Sequence, residues 1–191
     1  MTAPLRRDNH RGCGDEALYV RLSLLARAIA DAHAPVERLP MLADLLWDAL
    51  SARGLSWVGF YVIDEQFPID RASATGQLLL AARRDTPACS PIGLHGVCGQ
   101  AFLEEQARLV EDVGLLGAGY IACDPRDRSE VVLPIYRNGQ CWGVLDADSH
   151  QVRCFGDIDV WGLSQFLQSG GLLAKPLSLR ADRLQEPAGL L

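Results

Sequence analysis

Two stretches near the N-terminus repeat apolar residues at helical spacing. In residues 16–32, Leu18, Leu22, Leu25 and Ile29 fall on one stripe. After Pro35, Leu39, Leu42, Leu45, Leu46, Ala49 and Leu50 do the same. Pro35 suits a first helical position, and Gly54 suits a stop. The helical pattern then ends. Residues 56–63 (SWVGFYVI) predict the clearest strand and residues 78–82 a second, with a polar turn region over 64–76 between them. Residues 87–96 read as a Gly/Pro-rich loop, 99–105 as a short helix, and 110–119 as glycine-rich and irregular. Strands over 130–136 and 141–148 meet at Asn138 and Gly139, a strong hairpin signal. A helix over 157–173 closes the pattern. The order predicts an α+β fold, a central antiparallel β-sheet with packed helices. Residues 1–15 read as a flexible extension, 16–173 as the domain and 174–191 as a tail.

A chain of 191 residues suits one such domain better than two small ones. Its net charge of -6 advertises no basic face, so nucleic acid and anionic membranes are poor partners. The first twenty residues hold no apolar core of a signal peptide, and no run of eighteen apolar residues follows. The expected compartment is the cytoplasm. There the six cysteines, Cys13, Cys89, Cys98, Cys123, Cys141 and Cys154, stay reduced rather than forming a disulfide framework. No C-x-x-C occurs, the four histidines lack ligand spacing, and no flavin signature is present, so no metal or cofactor is expected. What remains is buried thiols or redox chemistry, and burial is the commoner fate of any single cysteine.

The acids can be placed by strand parity. Asp146 and Asp148 are two apart and leave the same face. Glu130 joins them only in one hairpin register. A two-residue loop pairs Arg137 with Gln140 and sets Glu130 opposite Ala147, on the other face. A three-residue loop pairs Tyr136 with Gln140 and sets Glu130 opposite Asp146. Clustered carboxyls raise one another's pKa, so one can stay protonated as a general acid while others hold an ammonium group. Trp57 and Tyr61, four apart, share a face of their strand.

Six segments carry a resemblance: Trp57-Val58-Gly59-Phe60-Tyr61, Pro87-Ala88-Cys89, Gly96-Val97-Cys98-Gly99, Ile121-Ala122-Cys123-Asp124, Ser129-Glu130-Val131-Val132-Leu133-Pro134, and Gly143-Val144-Leu145-Asp146-Ala147-Asp148-Ser149. In this order they resemble the free methionine-(R)-sulfoxide reductases, a GAF-domain family, over residues 17–173. The Cys89-to-Cys98 interval is one residue shorter than the family pattern and the next one longer, so Cys89 to Cys123 keeps its spacing. His95 stands where the family has a basic side chain.

The resemblance implies a cytoplasmic, homodimeric oxidoreductase, active in oxidative stress, that reduces free methionine-(R)-sulfoxide and is recycled by thioredoxin. It implies Cys123 as nucleophile, Cys89 as resolving cysteine, and Cys98 as a third site thiol. It places Glu130 and Asp148 in the chemistry, and Glu130, Asp146, Asp148, Trp57 and Tyr61 around the substrate. The aromatic pair would form a wall for the thioether. The chemistry is coherent: a thiolate attacks the sulfoxide sulfur, becomes a sulfenic acid, and condenses with a second cysteine. This reading requires the three-residue hairpin register, donors near Cys123 that favour its thiolate, and backbone amides of residues 114–119 to receive the substrate carboxylate. Two other readings use the same residues: a GAF sensor that binds a small molecule without turnover, and an interaction protein that senses redox state through its thiols.

Overall fold

A computed structural model describes residues 12–117, 123–173, 177 and 179–181. The first helix, α1 (Glu16–Ala32), begins where the Asp15 carboxylate accepts the Leu18 N–H at 2.9 Å. Its buried stripe is Leu18, Tyr19, Leu22 and Ala26, so Leu25, expected inside, is half exposed instead. Residues 13 and 14, expected to be frayed, are buried. Pro35 opens α2 (Pro35–Leu50), where Glu37 accepts the Ala34 N–H at 2.9 Å. A short 3₁₀ turn follows, and Gly54 ends it at a φ of 121° that favours glycine.

The strands are β1 (Trp57–Ile63), β2 (Leu78–Arg84), β3 (Ala107–Val110), β4 (Ser129–Arg137), β5 (Gln140–Ser149) and β6 (Leu179–Ala181). They form one sheet in the order β2-β1-β5-β4-β3-β6. Neighbours run antiparallel except β6, which adds parallel to β3 at the edge. The remaining helices are α3 (Val97–Glu104) and α4 (Asp157–Ser169), the latter ending four residues before the expected position. Sequence patterning did not anticipate β3 or β6.

Helices α1, α2 and α4 cover one face of the sheet. Their core joins Leu39, Leu46, Phe166, Phe60, Leu133 and Leu145. The opposite face carries a second, smaller cluster in which Trp57, Tyr61, Val132 and Val144 meet Phe102 of α3. No helix among the described residues is long and apolar enough to cross a membrane.

The hairpin between β4 and β5 corrects the expected register. Its turn has two residues, Asn138 and Gly139, with φ of 54° and 79°, and Arg137 pairs with Gln140. That turn alone would direct Glu130 toward the helices. The register shifts one step later: Tyr136 pairs with Cys141 but Ile135 with Gly143. Trp142 is therefore an extra residue, a β-bulge, and parity reverses. Below the bulge Glu130 lies opposite Asp148 and Val132 opposite Asp146. The three acids share the face away from the helices, as expected, but through a different register.

Gly143, beside the bulge, lies against β1. A Cβ there would sit 2.0 Å from the Tyr61 carbonyl oxygen and 2.8 Å from the Val62 Cα, both backbone. Gly143→Ala should lower Tm by roughly 10 °C or prevent folding, because no side-chain rearrangement relieves the clash. Thermal unfolding followed by circular dichroism checks this.

Candidate active site

The acid-bearing face is built from three neighbouring strands. One row runs Glu130, Asp148, Trp57, and the next runs Val132, Asp146, Gly59. The missing side chain at Gly59 makes room for Trp57, whose ring would lie 2.2 Å from a Cβ added there. The Trp57 and Tyr61 rings are 6.1 Å apart. Both reach into the loop carrying Cys89. Trp57 Nε1 donates to the Thr86 carbonyl at 3.1 Å, and the Tyr61 hydroxyl donates to the Cys89 carbonyl at 3.0 Å. The same loop is tied to β2 by a pair of backbone hydrogen bonds between Leu78 and Ile92. The aromatic pair thus anchors a cysteine as well as forming a wall.

Between this loop, α3 and the strands lies a cavity of about 280 Å³. Cys89, Cys98, Cys123, Glu130, Asp146, Asp148 and Tyr61 all line it, and so does Asp127. Trp57 lines a smaller adjoining pocket, with Tyr61, Cys123, Asp127, Asp146 and Asp148. Every site residue expected from the sequence is therefore at one place. The exception is the stretch expected to receive a carboxylate. Residues 118 and 119 lie outside the described residues, and the Gly114 N–H is already given to the Asp112 side chain at 2.9 Å. The start of α3 lines the main cavity instead, through Gly96, Val97 and Cys98. The amides of a helix's first turn have no partner within the helix and favour an anion.

The thiols divide into a deep one and a shallow pair. Cys98 donates to Asp146 Oδ2 at 3.1 Å. Burial first, then the Asp146 charge, pushes the Cys98 pKa well up. The Cys123 and Cys89 side chains are neighbours that both line the cavity, and both residues are exposed. Burial of the Cys123 sulfur, then the Cys89 thiol beside it, raises its pKa to about 12. The Cys89 backbone pulls the Cys123 pKa down, as expected of a donor, but burial and the Cys89 thiol outweigh it, and the resting group is a thiol. The neighbouring Asp124 carboxylate is turned to Arg126, at 2.6 Å, and is held well below the usual carboxylate range by it.

The buried carboxyls of the cavity are raised as well. Asp146 is raised to about 7 and Asp148 well above its ordinary value, in both cases mainly by burial. The charge of Asp146 adds to the rise at Asp148. Asp146 Oδ1 is buried and makes no hydrogen bond. Oxygens of Glu130, Asp146 and Asp148 lie within 4.8 Å of one another, a set able to hold an ammonium or a hard cation.

Sequence reasoning missed Asp127 and His150. Asp127 is 6% exposed, its Oδ1 has no hydrogen-bond partner, and it borders both cavities. Burial, then the Asp124 charge, lifts it to about 6. His150 Nε2 is 3.4 Å from Asp124 and 3.8 Å from Asp127. Asp127 faces inward because its N–H closes a turn onto the Asp124 carbonyl at 3.1 Å. An acid four residues after the cysteine was the only available signal.

A family model described as the GAF domain matches residues 35–172. GAF domain-containing protein A of Dictyostelium discoideum is 39% identical over 113 residues, 59% of this chain and 65% of that protein, so the match spans just under two thirds of that relative. Free methionine-R-sulfoxide reductase of Saccharomyces cerevisiae is 32% identical over 149 residues, 75% of this chain and 78% of that protein. The structure of free methionine-R-sulfoxide reductase from Neisseria meningitidis in complex with its substrate superimposes with a TM-score of 0.68 at 32% identity, covering 80% of this chain and 86% of that one. By sequence and by fold, the chain belongs to the GAF domain family and, within it, to the free methionine-R-sulfoxide reductases.

Proposed function

We propose that the protein reduces free L-methionine-(R)-sulfoxide to L-methionine. The observation that carries this reading is one cavity in which two neighbouring thiols face buried carboxyls of raised pKa. The substrate sulfoxide lies between Cys123 and the acids. Protonated Asp148 hydrogen-bonds the sulfoxide oxygen and makes the sulfur electrophilic. The Cys123 sulfur attacks that sulfur, and its proton passes to the carboxylate cluster. Two electrons move from Cys123 to the substrate, and the oxygen finishes on Cys123 as a sulfenic acid, releasing methionine. Cys89 attacks the sulfenic sulfur, an S–S bond forms, and water leaves. Thioredoxin, an external dithiol in the cytoplasm, returns both cysteines to thiols by exchange. Cys98, hydrogen-bonded to Asp146, reports on and holds that carboxyl rather than attacking. The active protein is a homodimer on this reading, and no resident cofactor takes part.

A GAF sensor would use the same cavity to bind without turnover; the neighbouring Cys89 and Cys123 favour turnover. With thioredoxin and NADPH recycling, the R epimer should be consumed and the S epimer ignored. Cys123→Ser should abolish turnover and sulfenic acid trapping. Consumption of neither epimer by the intact protein would favour the sensor, and retained activity in Cys123→Ser would remove the nucleophile from its role.

Selectivity for the free amino acid follows from charge. The ammonium group meets Asp146 and Glu130, and the carboxylate meets the first-turn amides of α3. Breaking a buried ion pair costs roughly 3–5 kcal/mol, or about a hundredfold or more in selectivity. N-acetyl methionine sulfoxide keeps the sulfoxide and the carboxylate but loses the ammonium. Its kcat/KM should fall by about that factor, and Asp146→Asn should narrow the gap by harming the free substrate more. Equal rates on the two substrates would contradict an ammonium site.

The same acids predict a pH dependence of stability. Asp127 and Asp146 titrate at about 6 and about 7 in the fold, against 3.8 for the ordinary group. Between these values the native state holds protons that the unfolded chain has released. Stability therefore falls as pH rises from about 4 through about 7. Without ligand, Tm should drop by several degrees between pH 5 and pH 8, and Asp146→Asn should flatten the curve. Scanning calorimetry across that range measures it.

A further inference from the structure

Three of the six cysteines, Cys13, Cys141 and Cys154, lie outside the site, and two of them share the helix face of the sheet. Cys13 precedes α1 and Cys154 precedes α4. Both lie in the apolar core on the helix face, so the sheet separates them from the thiols of the cavity. The Cys13 thiol donates to the Leu50 carbonyl at 3.7 Å and the Cys154 sulfur packs beside Gly54, so the fold brings the two thiols to one spot, where each is the strongest influence on the other's titration. We propose that Cys13 and Cys154 form a second redox-active pair, independent of the sulfoxide site, whose oxidant is a small hydroperoxide.

The backbone on each side is fixed, which keeps the sulfurs together. Asp159, in the first turn of α4, accepts from the Cys13 N–H at 3.2 Å, the Gly14 N–H at 2.7 Å, the Gly156 N–H at 2.8 Å and the Tyr19 hydroxyl at 2.8 Å. On the other side the Cys154 N–H donates to Ser129 Oγ at 3.3 Å, and the Arg153 N–H donates to the Glu111 carbonyl at 2.7 Å. The Cys154 sulfur packs against Gly54, where an added Cβ would sit 2.8 Å from it. The exposed side chain of Gln151 lies beside the same spot, 3.4 Å from that Cβ position. Cys154 keeps 6% of its surface exposed, on the side of the exposed Gln151. The Cys13 thiol beside it lowers the Cys154 pKa to about 7, and the Cys154 thiol, with burial, holds Cys13 well up. One sulfur is thus the nucleophile and the other keeps its proton.

The Cys154 thiolate attacks the peroxide. An S–O bond forms, the O–O bond breaks, and the leaving alkoxide or hydroxide takes a proton. Cys13 then attacks the sulfenic sulfur. The S–S bond forms, the S–O bond breaks, and hydroxide leaves as water with the Cys13 proton. Two thiols and one hydroperoxide give one disulfide, one alcohol (water, for hydrogen peroxide) and one water. The product closes the segment from before α1 to before α4 into a covalent loop. It pins the N-terminal segment to the connection between β5 and α4.

The test uses the full chain carrying Cys89→Ser, Cys98→Ser and Cys123→Ser, treated with hydrogen peroxide, alkylated, and mapped as non-reduced peptides. The expected result is a peptide pair joining Cys13 to Cys154, and a Tm higher by roughly 10 °C that dithiothreitol reverses. Adding Cys13→Ser should remove the cross-link and leave a Cys154 sulfenic acid that dimedone traps. Both thiols remaining alkylatable after peroxide, or a dominant link through Cys141, would overturn the proposal. If the triple variant does not fold, the unaltered protein under the same treatment must yield the same peptide pair.

Discussion

One extra residue in β5 decides which side of the sheet is charged. The tight turn at Asn138 and Gly139 matches the twist of its strands, but its register would set Glu130 opposite Ala147. Ala147 belongs to the apolar core beneath the helices. A carboxylate there would be stripped of water with no cation to meet it, at a cost of several kcal/mol. The bulge at Trp142 restores parity within one step of the turn. It also sends Trp142 into the helix core while Cys141 faces the other cluster. Charge, aromatic wall and thiols all depend on that step, because β1 pairs with β5 in a single unbroken register beyond it.

Much of this was legible in the chain. Helices α1 and α2 announce themselves through apolar stripes, with Pro35 at the start of α2, and β1, β4 and β5 through runs of strand-forming residues and the Asn-Gly turn. The drift of the α1 stripe from Leu25 to Ala26 reflects 3.6 residues per turn over four turns. Strand β3 was not legible because all four of its residues are buried, Arg108 included, so alternation vanishes. Strand β6 is three residues long and exists only by pairing with β3. The hairpin register could not be read because a bulge has no periodic signature. Asp127 was invisible for a related reason: a turn, not a strand or helix, aims it into the cavity.

The electrostatics of the site inverted one expectation and met another. A cysteine next to Asp124 was expected to find donors for a thiolate, yet Asp124 spends its charge on Arg126 and Cys123 remains a thiol. The carboxyls meanwhile stand raised, as a cluster of buried acids must. The two facts share one cause. The described lining of the cavity offers little positive charge, and burial raises Asp146, Asp148, Cys98 and Cys123 alike. Asp146 feels both, since it accepts a proton-rich contact from Cys98 on one oxygen while the other has no hydrogen bond.

A cationic ligand would reverse that balance, and this gives the proposed chemistry its order of events. An ammonium group beside Asp146 supplies the missing positive charge, so that carboxyl ionises and accepts a salt link. Asp148, raised by burial and further by the charges of Asp146 and Glu130, is the carboxyl that would keep its proton. The substrate would thereby separate two chemically identical carboxyls into an anchor and an acid. The same added charge makes a Cys123 thiolate less costly at the moment its target arrives, whereas an empty site keeps the thiol protonated and slow to react with adventitious oxidants. A resting pKa of about 12 is therefore compatible with a nucleophile that is activated by its own substrate. A peptide-bound methionine sulfoxide, which brings no ammonium group at that carbon, would leave the cavity in its neutral, unreactive state even if its side chain fitted between Tyr61 and Cys123.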